Sequence, residues 1–249
     1  MNAIPFLKAP GAAGSARRRQ SGSVLMETYI VLPVFGLLLG GIFELSMLYR
    51  ARAILDAATF EAAQQGSMHN GRMERMRVGF AQGMTPHLMR GRDPTAVATG
   101  YARAMLRVST PGAGITILSP TRDAFNQFRQ RQTLQSTADN GERGQFVLPN
   151  DNLLWRDATV RQVNARGQRI PMTVQDANLL QIETHWCERL LVPVLDRVIA
   201  GVINWPVSNP PQCAGLALAN GGHYVLLRST SVARMQSPIT EQVAQTLPN

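Results

Sequence analysis

Lysine is almost missing from this chain: Lys8 is the single lysine among 25 basic residues, and arginine supplies the rest. So one-sided a preference reads as compositional bias, not as a binding site. The net charge of +9 falls to +5 once Lys8, Arg17, Arg18 and Arg19 are set aside, and that remainder is spread over more than two hundred residues. Nor do basic and aromatic residues cluster, so nucleic acid is not an expected partner. The chain lacks a glycine-rich phosphate loop, a GxSxG elbow, an HExxH pair and any recognisable Ser, His and acid set. Those absences leave no candidate catalytic residue and no cofactor site, and enzyme activity is not expected. Internal repeats are absent too, which excludes solenoid architectures.

The informative stretch runs from Arg17 to Tyr49, RRRQSGSVLMETYIVLPVFGLLLGGIFELSMLY. From Thr28 to Phe43 it carries no charge, and beyond Glu44 it stays apolar to Tyr49. As a helix, Thr28 to Tyr49 would be about 33 Å long, enough for a bilayer core, whereas the charge-free part alone reaches only about 24 Å. A crossing therefore requires Glu44 to sit near one interface or to be neutralised. Three arginines before the span outweigh Arg50 and Arg52 after it, which predicts a cytoplasmic N-terminus. Residues 1–22, rich in Ala, Gly, Ser and Arg, read as a basic leader without hydrophobic period.

The helix is expected to continue past the span. Arg50 to Gln65 contains strong helix formers without proline or glycine, with Ile54, Leu55, Ala58 and Ala62 on one face, and Gly66 is the expected end. Pro33 should kink the membrane half or sit within its first turns. Residues 67–249 then form an α+β head. A second helix or an irregular connection covers Ser67 to Met89, and Asp93-Pro94 caps a helix to Val108. A short strand spans Ile115 to Leu118, and Thr121 opens a helix burying Ala124, Phe125 and Phe128. Gln130 to Gly144 reads as an exposed loop. Leu180, Ile182, Thr184 and Trp186 alternate with Gln181, Glu183, His185 and Cys187, which predicts a half-buried strand. Helical spacing follows over Leu191 to Ile203, then a break at Asn209-Pro210-Pro211. His223 to Met235 is the last strand, and the tail after Ser237-Pro238 should fray. Trp155, Trp186 and Trp205 are assigned to core or interface, and Glu183 and Glu188 to solvent.

The two cysteines, Cys187 and Cys213, are expected to form a disulfide if the head is exported to an oxidising compartment. A zinc set can be drawn from His185, Cys187, Cys213 and His223. Its spacings are unfamiliar, so no metal is expected.

Gly22-Ser23-Val24-Leu25-Met26-Glu27 places a small residue before the apolar run and a glutamate five positions later, the arrangement read by prepilin-type peptidases. A carboxylate at the edge of a membrane helix is costly unless paired. Cleavage after Gly22 would create an α-amino group at Ser23, and a neighbouring subunit's Glu27 could pair with it. Glu27 can equally be read as a residue of the headgroup layer with no further role.

Gly22, Glu27, Pro33, Gly40-Gly41, Glu44, Tyr49 and the alanines Ala57, Ala58, Ala62 and Ala63 resemble the N-terminal signature of TadE-like proteins, pseudopilins of the tight-adherence (Tad or Flp) branch of type IV pilus machinery. Thr28 stands where an aromatic usually follows the glutamate, and the arginine common in the alanine-rich segment is replaced by neighbours such as Phe60 and Gln64. The resemblance implies a transmembrane and stalk helix over residues 23–66, a pilin-like α+β head, and a minor component of Tad pilus assembly in the bacterial inner membrane with a periplasmic head. It further implies prepilin peptidase, sister pilins and pseudopilins, and the assembly platform as partners. Two alternatives stand beside it. One is an unprocessed single-pass protein with an extracytoplasmic binding domain. The other is a secreted protein freed by signal peptidase after Ala51-Arg52-Ala53.

Overall fold

A computed structural model describes residues 23–135, 142–204 and 209–249. The first element is the long helix α1 (Ser23–Met68), which contains Pro33. The chain divides into two compact units, Met1–Gly40 and Gly41–Asn249. Of the first, residues 23–40 are helical. The second begins inside α1, and Leu55, Ala58, Ala62 and Ala63 of that helix belong to its main core.

That supply is visible as a stripe. Glu44, Ala51, Leu55, Ala58, Ala62 and Gly66 are buried, with Leu48 partly so, at steps of three and four that keep them on one face. The helix runs two residues beyond the expected end at Gly66. Gly66 is buried where an added Cβ would come within 2.7 Å of the Met76 side chain and 2.8 Å of Leu180. The stop lies at Asn70 (φ 59°) and Gly71 (φ 74°), where the Gly71 N–H donates to Gly66 O at 2.8 Å, the long bond of a Schellman motif.

Two helices follow, α2 (Met73–Leu88) and α3 (Pro94–Val108). A Cβ on Gly83 would lie 2.4 Å from Ala58 Cα, so only glycine lets α2 approach α1 this closely. The expected cap of α3 is formed: the Asp93 carboxylate accepts from Ala96 N, with Pro94 at the first helical position. The Thr95 hydroxyl and backbone N–H groups hold that carboxyl below its ordinary value, so the cap stays charged until pH falls below the usual Asp range.

The remaining elements are β1 (Ala113–Ser119), α4 (Arg122–Phe128), β2 (Gln130–Gln135), β3 (Glu142–Leu148), β4 (Arg161–Ala165), β5 (Gln168–Met172), α5 (Val174–Ala177), β6 (Leu179–Arg189), α6 (Leu195–Ile203), α7 (Pro211–Asn220), β7 (Tyr224–Arg234), β8 (Ile239–Thr240) and α8 (Glu241–Ala244). The head is thus α+β, with a central antiparallel sheet in the order β1-β6-β7. Leu180, Ile182, Thr184 and Trp186 of β6 are buried, as their alternation predicts. Each such large apolar side chain contributes about 1.5–3 kcal/mol by leaving water. Helix α1 lies against this sheet. Ser229 of β7 donates to Asp56 at 2.6 Å, and Thr59 donates to Leu55 O at 2.6 Å while accepting from the Thr184 hydroxyl at 2.5 Å.

Two expectations are corrected. The polar run from Gln130 to Gly144 is not wholly a loop: β2 and β3 pair in register from Gln130↔Val147 to Gln135↔Glu142, and residues 136–141 lie outside the described residues. Gln130, Arg131, Gln145 and Phe146 are exposed, so no hydrophobic alternation betrays strands held together by backbone hydrogen bonds. The tail does not fray either. Ser67 O accepts from Gln236 N and Ser237 N, both at 3.1 Å, after which Ile239, Val243 and Leu247 enter the core. A third pairing, β4 with β5, is not anticipated by the hydrophobic pattern. Its two-residue turn, Arg166 (φ 55°) and Gly167 (φ 83°), has positive φ at both positions, as a type I′ hairpin requires.

Candidate anchoring and assembly segment

Apart from Gly22 and the two cysteines, every candidate site residue falls on helix α1, and the two ends of that helix have opposite surroundings. Among the described residues it is the single helix long and apolar enough to cross a membrane, over Met26–Met68. From Tyr29 to Phe43 its large apolar side chains point outward on all sides, Tyr29, Ile30, Leu32 and Phe35 among them. A helix apolar all round and uncovered is suited to lipid or to other apolar helices.

Gly22 lies outside the described residues. Ser23 is the first residue of α1, and Glu27 is exposed one turn further on. Pro33 lies within the helix, and a Cβ on Gly36 or Gly41 would meet nothing within 4 Å. Gly40 is partly covered.

Glu44 is different. It belongs to the second unit, is 1 % exposed, and its carboxylate accepts the Leu191 N–H at 3.0 and 3.2 Å and the Val192 N–H at 2.9 Å. These amides lie between β6 and α6, outside the β6 ladder, and the carboxylate satisfies them. The sequence offered Glu44 only an interface or neutralisation; its hydrogen-bond partners begin 147 residues away, where no spacing rule could find them. One turn on, Leu48 packs on the Leu190, Ala200 and Val225 cluster. Arg52 pairs with Asp56 at 3.2 Å and donates to Arg228 O.

The expected disulfide is formed. Cys187 of β6 and Cys213 of α7 are joined with Cα atoms 5.7 Å apart, packed on Tyr224, Leu216, Ala217 and Leu226. With their sulfurs bonded to each other, Cys187 and Cys213 are not thiolates that the drawn zinc set could use. His185 Nε2 lies 3.4 Å from Pro111 O. The cross-link joins residues 26 apart in sequence, so its removal should cost the head about 2–4 kcal/mol. A Cys187→Ser, Cys213→Ser protein should melt several degrees below the oxidised parent in detergent. Equal melting temperatures would show that the bond contributes nothing.

Glu188 is not in solvent, where its polar character alone would put it. Its Oε2 accepts from His87 Nε2 at 2.9 Å and from Trp186 Nε1 at 3.0 Å. Phe80 and His87 meet the Trp186 ring edge-on, and the Arg107 guanidinium stands 5.2 Å from its centre while donating to Cys187 O at 2.8 Å. Burial pushes the Arg107 pKa down, opposed by the nearby Tyr224 and Glu188. This cluster fastens α2 and α3 to β6. Glu183 pairs with Arg228 at 2.9 Å. Trp155, assigned to core or interface, is 86 % exposed, and Trp205 lies outside the described residues.

No curated protein and no solved structure matches the chain. Residues 22–64, from Gly22 through the buried alanines of α1, match the model of the TadE-like protein family, and the segment that carries both the exposed apolar turns and Glu44 is TadE-like.

Proposed function

We propose that this protein is a non-catalytic, pseudopilin-like component of a Tad/Flp pilus assembly system, held in the bacterial inner membrane by α1 with its N-terminus in the cytoplasm and its head in the periplasm. The observation that carries the reading is the division of labour along one TadE-like helix: its early turns expose apolar side chains all round, and its later turns form the head's core. In this role the open faces at Gly36 and Gly41 admit close approach of sister pilin and pseudopilin helices. Prepilin peptidase cuts after Gly22, and Glu27 pairs with the Ser23 α-amino group of a neighbouring subunit, setting its register against the assembly platform.

Release by signal peptidase after Ala53 is the weaker alternative. That cut would sever α1 among its buried turns, removing Glu44 and Ala51 from the head. The N-terminal residue of the mature protein separates the readings. Ser23 is expected; a start near residue 54 means secretion, and an intact Met1 means an unprocessed anchor. Given Ser23, the Glu27→Gln protein should be cleaved normally yet assemble poorly, and normal assembly would refute the pairing.

A further inference from the structure

We infer that α6, with the loop before it, is a second membrane contact: an amphipathic segment lying in the interface of the bilayer that α1 crosses. The inference rests on the anchored reading above. Within the second unit, Glu44 holds the N–H groups of Leu191 and Val192, and Tyr49 is five residues further along α1, about 7.5 Å of helical rise. Tyr49 and then Arg50 end the apolar run, the pairing expected at headgroup level. The chain tied to Glu44 therefore sits on the hydrocarbon side of that level, within the roughly 5–10 Å that interfacial helices occupy.

What is exposed there fits that depth. Leu191 and Val194 precede α6, and Val198 and Val202 repeat at four-residue spacing on its outer face, Val202 being 76 % exposed. Ala200 is buried and Ile199 packs towards the Leu190 and Val225 cluster, so the helix turns its other side to the head. Arg197 on the outer face can reach lipid phosphate while its stem stays among the valines. A contiguous apolar row marks an interaction surface, and its place beside the span assigns it to lipid.

The opposite end of the head supplies a control. There Ser67 O accepts from Gln236 N, Met235 N donates to Asn178 O, Asn178 donates to Pro149 O, and Gln175 donates to Leu153 O. Ser67 is about 35 Å along α1 from Glu44, and Leu154, beside that network, is almost fully exposed.

Single cysteines at Phe35, Val202 and Leu154 can be labelled with nitrobenzoxadiazole without reductant, since the native cysteines stay bonded. The full-length protein is then placed in phosphatidylethanolamine and phosphatidylglycerol vesicles carrying lipids spin-labelled on the acyl chain. The label at Phe35 should be quenched, that at Val202 blue-shifted and quenched, and that at Leu154 neither. If Val202 behaves like Leu154 while Phe35 is quenched, the interfacial contact is wrong and the anchor stands. Protection of Val202 from aqueous iodide without quenching by lipid means a protein covers α6, which also overturns the inference. An unquenched Phe35 refutes the anchor, and this inference with it.

Discussion

A Glu44→Ala protein should unfold its head about 2–4 kcal/mol more readily than the parent, because two backbone N–H groups lose their acceptor. The figure is held below the full cost of two charge-assisted bonds because Leu191 is more than half exposed and water can reach its amide. For a unit of this size the melting temperature in detergent should fall by roughly 5–15 °C. Exchange of the Leu191 and Val192 amides should quicken. Leucine at the same position separates the two meanings of this residue. If Glu44 is only an awkward charge near lipid, Glu44→Leu removes a cost and stabilises. If it is the acceptor that ties α1 to the 190–194 segment, Glu44→Leu destabilises about as much as alanine. Glutamine keeps one accepting oxygen and should fall between. An unchanged melting temperature in the alanine protein would show that these bonds carry no weight.

Trp186→Ala should be the most damaging single change in the head, at about 3–5 kcal/mol. The side chain is 1 % exposed and is the largest in the core. Its removal takes the ring from between Phe80, His87 and Arg107, and leaves the Glu188 carboxylate with His87 alone. Trp186→Phe keeps one aromatic ring but loses the indole N–H, worth about 1 kcal/mol, and the volume of the second ring, so it should cost more than that hydrogen bond and less than alanine. Near-ultraviolet circular dichroism and thermal unfolding read both. An alanine protein no worse than the phenylalanine one would mean that packing around Trp186 is loose.

The two predictions concern residues with different legibility. Trp186 belongs to a strand whose alternation, Leu180-Ile182-Thr184-Trp186, reads directly as a buried face. The ring's partners do not read at all, since Phe80, His87 and Arg107 come from α2 and α3, elements without a pattern directed at β6. Glu44 sits in register with the Leu48, Ala51 and Leu55 stripe, at steps of four, three and four. Extending that stripe one turn towards the N-terminus would have identified it as an inward-facing residue. Its buried state conflicts with its chemistry until the Leu191 and Val192 amides are known. The two missed hairpins differ in cause. The β2-β3 pair lacks alternation because Gln130, Arg131, Gln145 and Phe146 face water, while the β4-β5 turn carries a usable signal in Arg166-Gly167, flanked by Val163 and Ile170.

The chain by itself determines whatever depends on neighbours along one element. Helix α1 and its apolar run, the α3 cap at Asp93, the strands β6 and β7 and the candidate cleavage position all follow from local propensity, hydrophobic period and motif spacing. Tertiary structure alone decides which distant groups meet. It supplies two amides to Glu44, gives Glu188 its His87 and Trp186 partners and pins the tail at Ser67. Local spacing cannot encode these contacts, because a buried polar group takes its partner from whatever element packs across from it, at a separation in sequence that the fold sets.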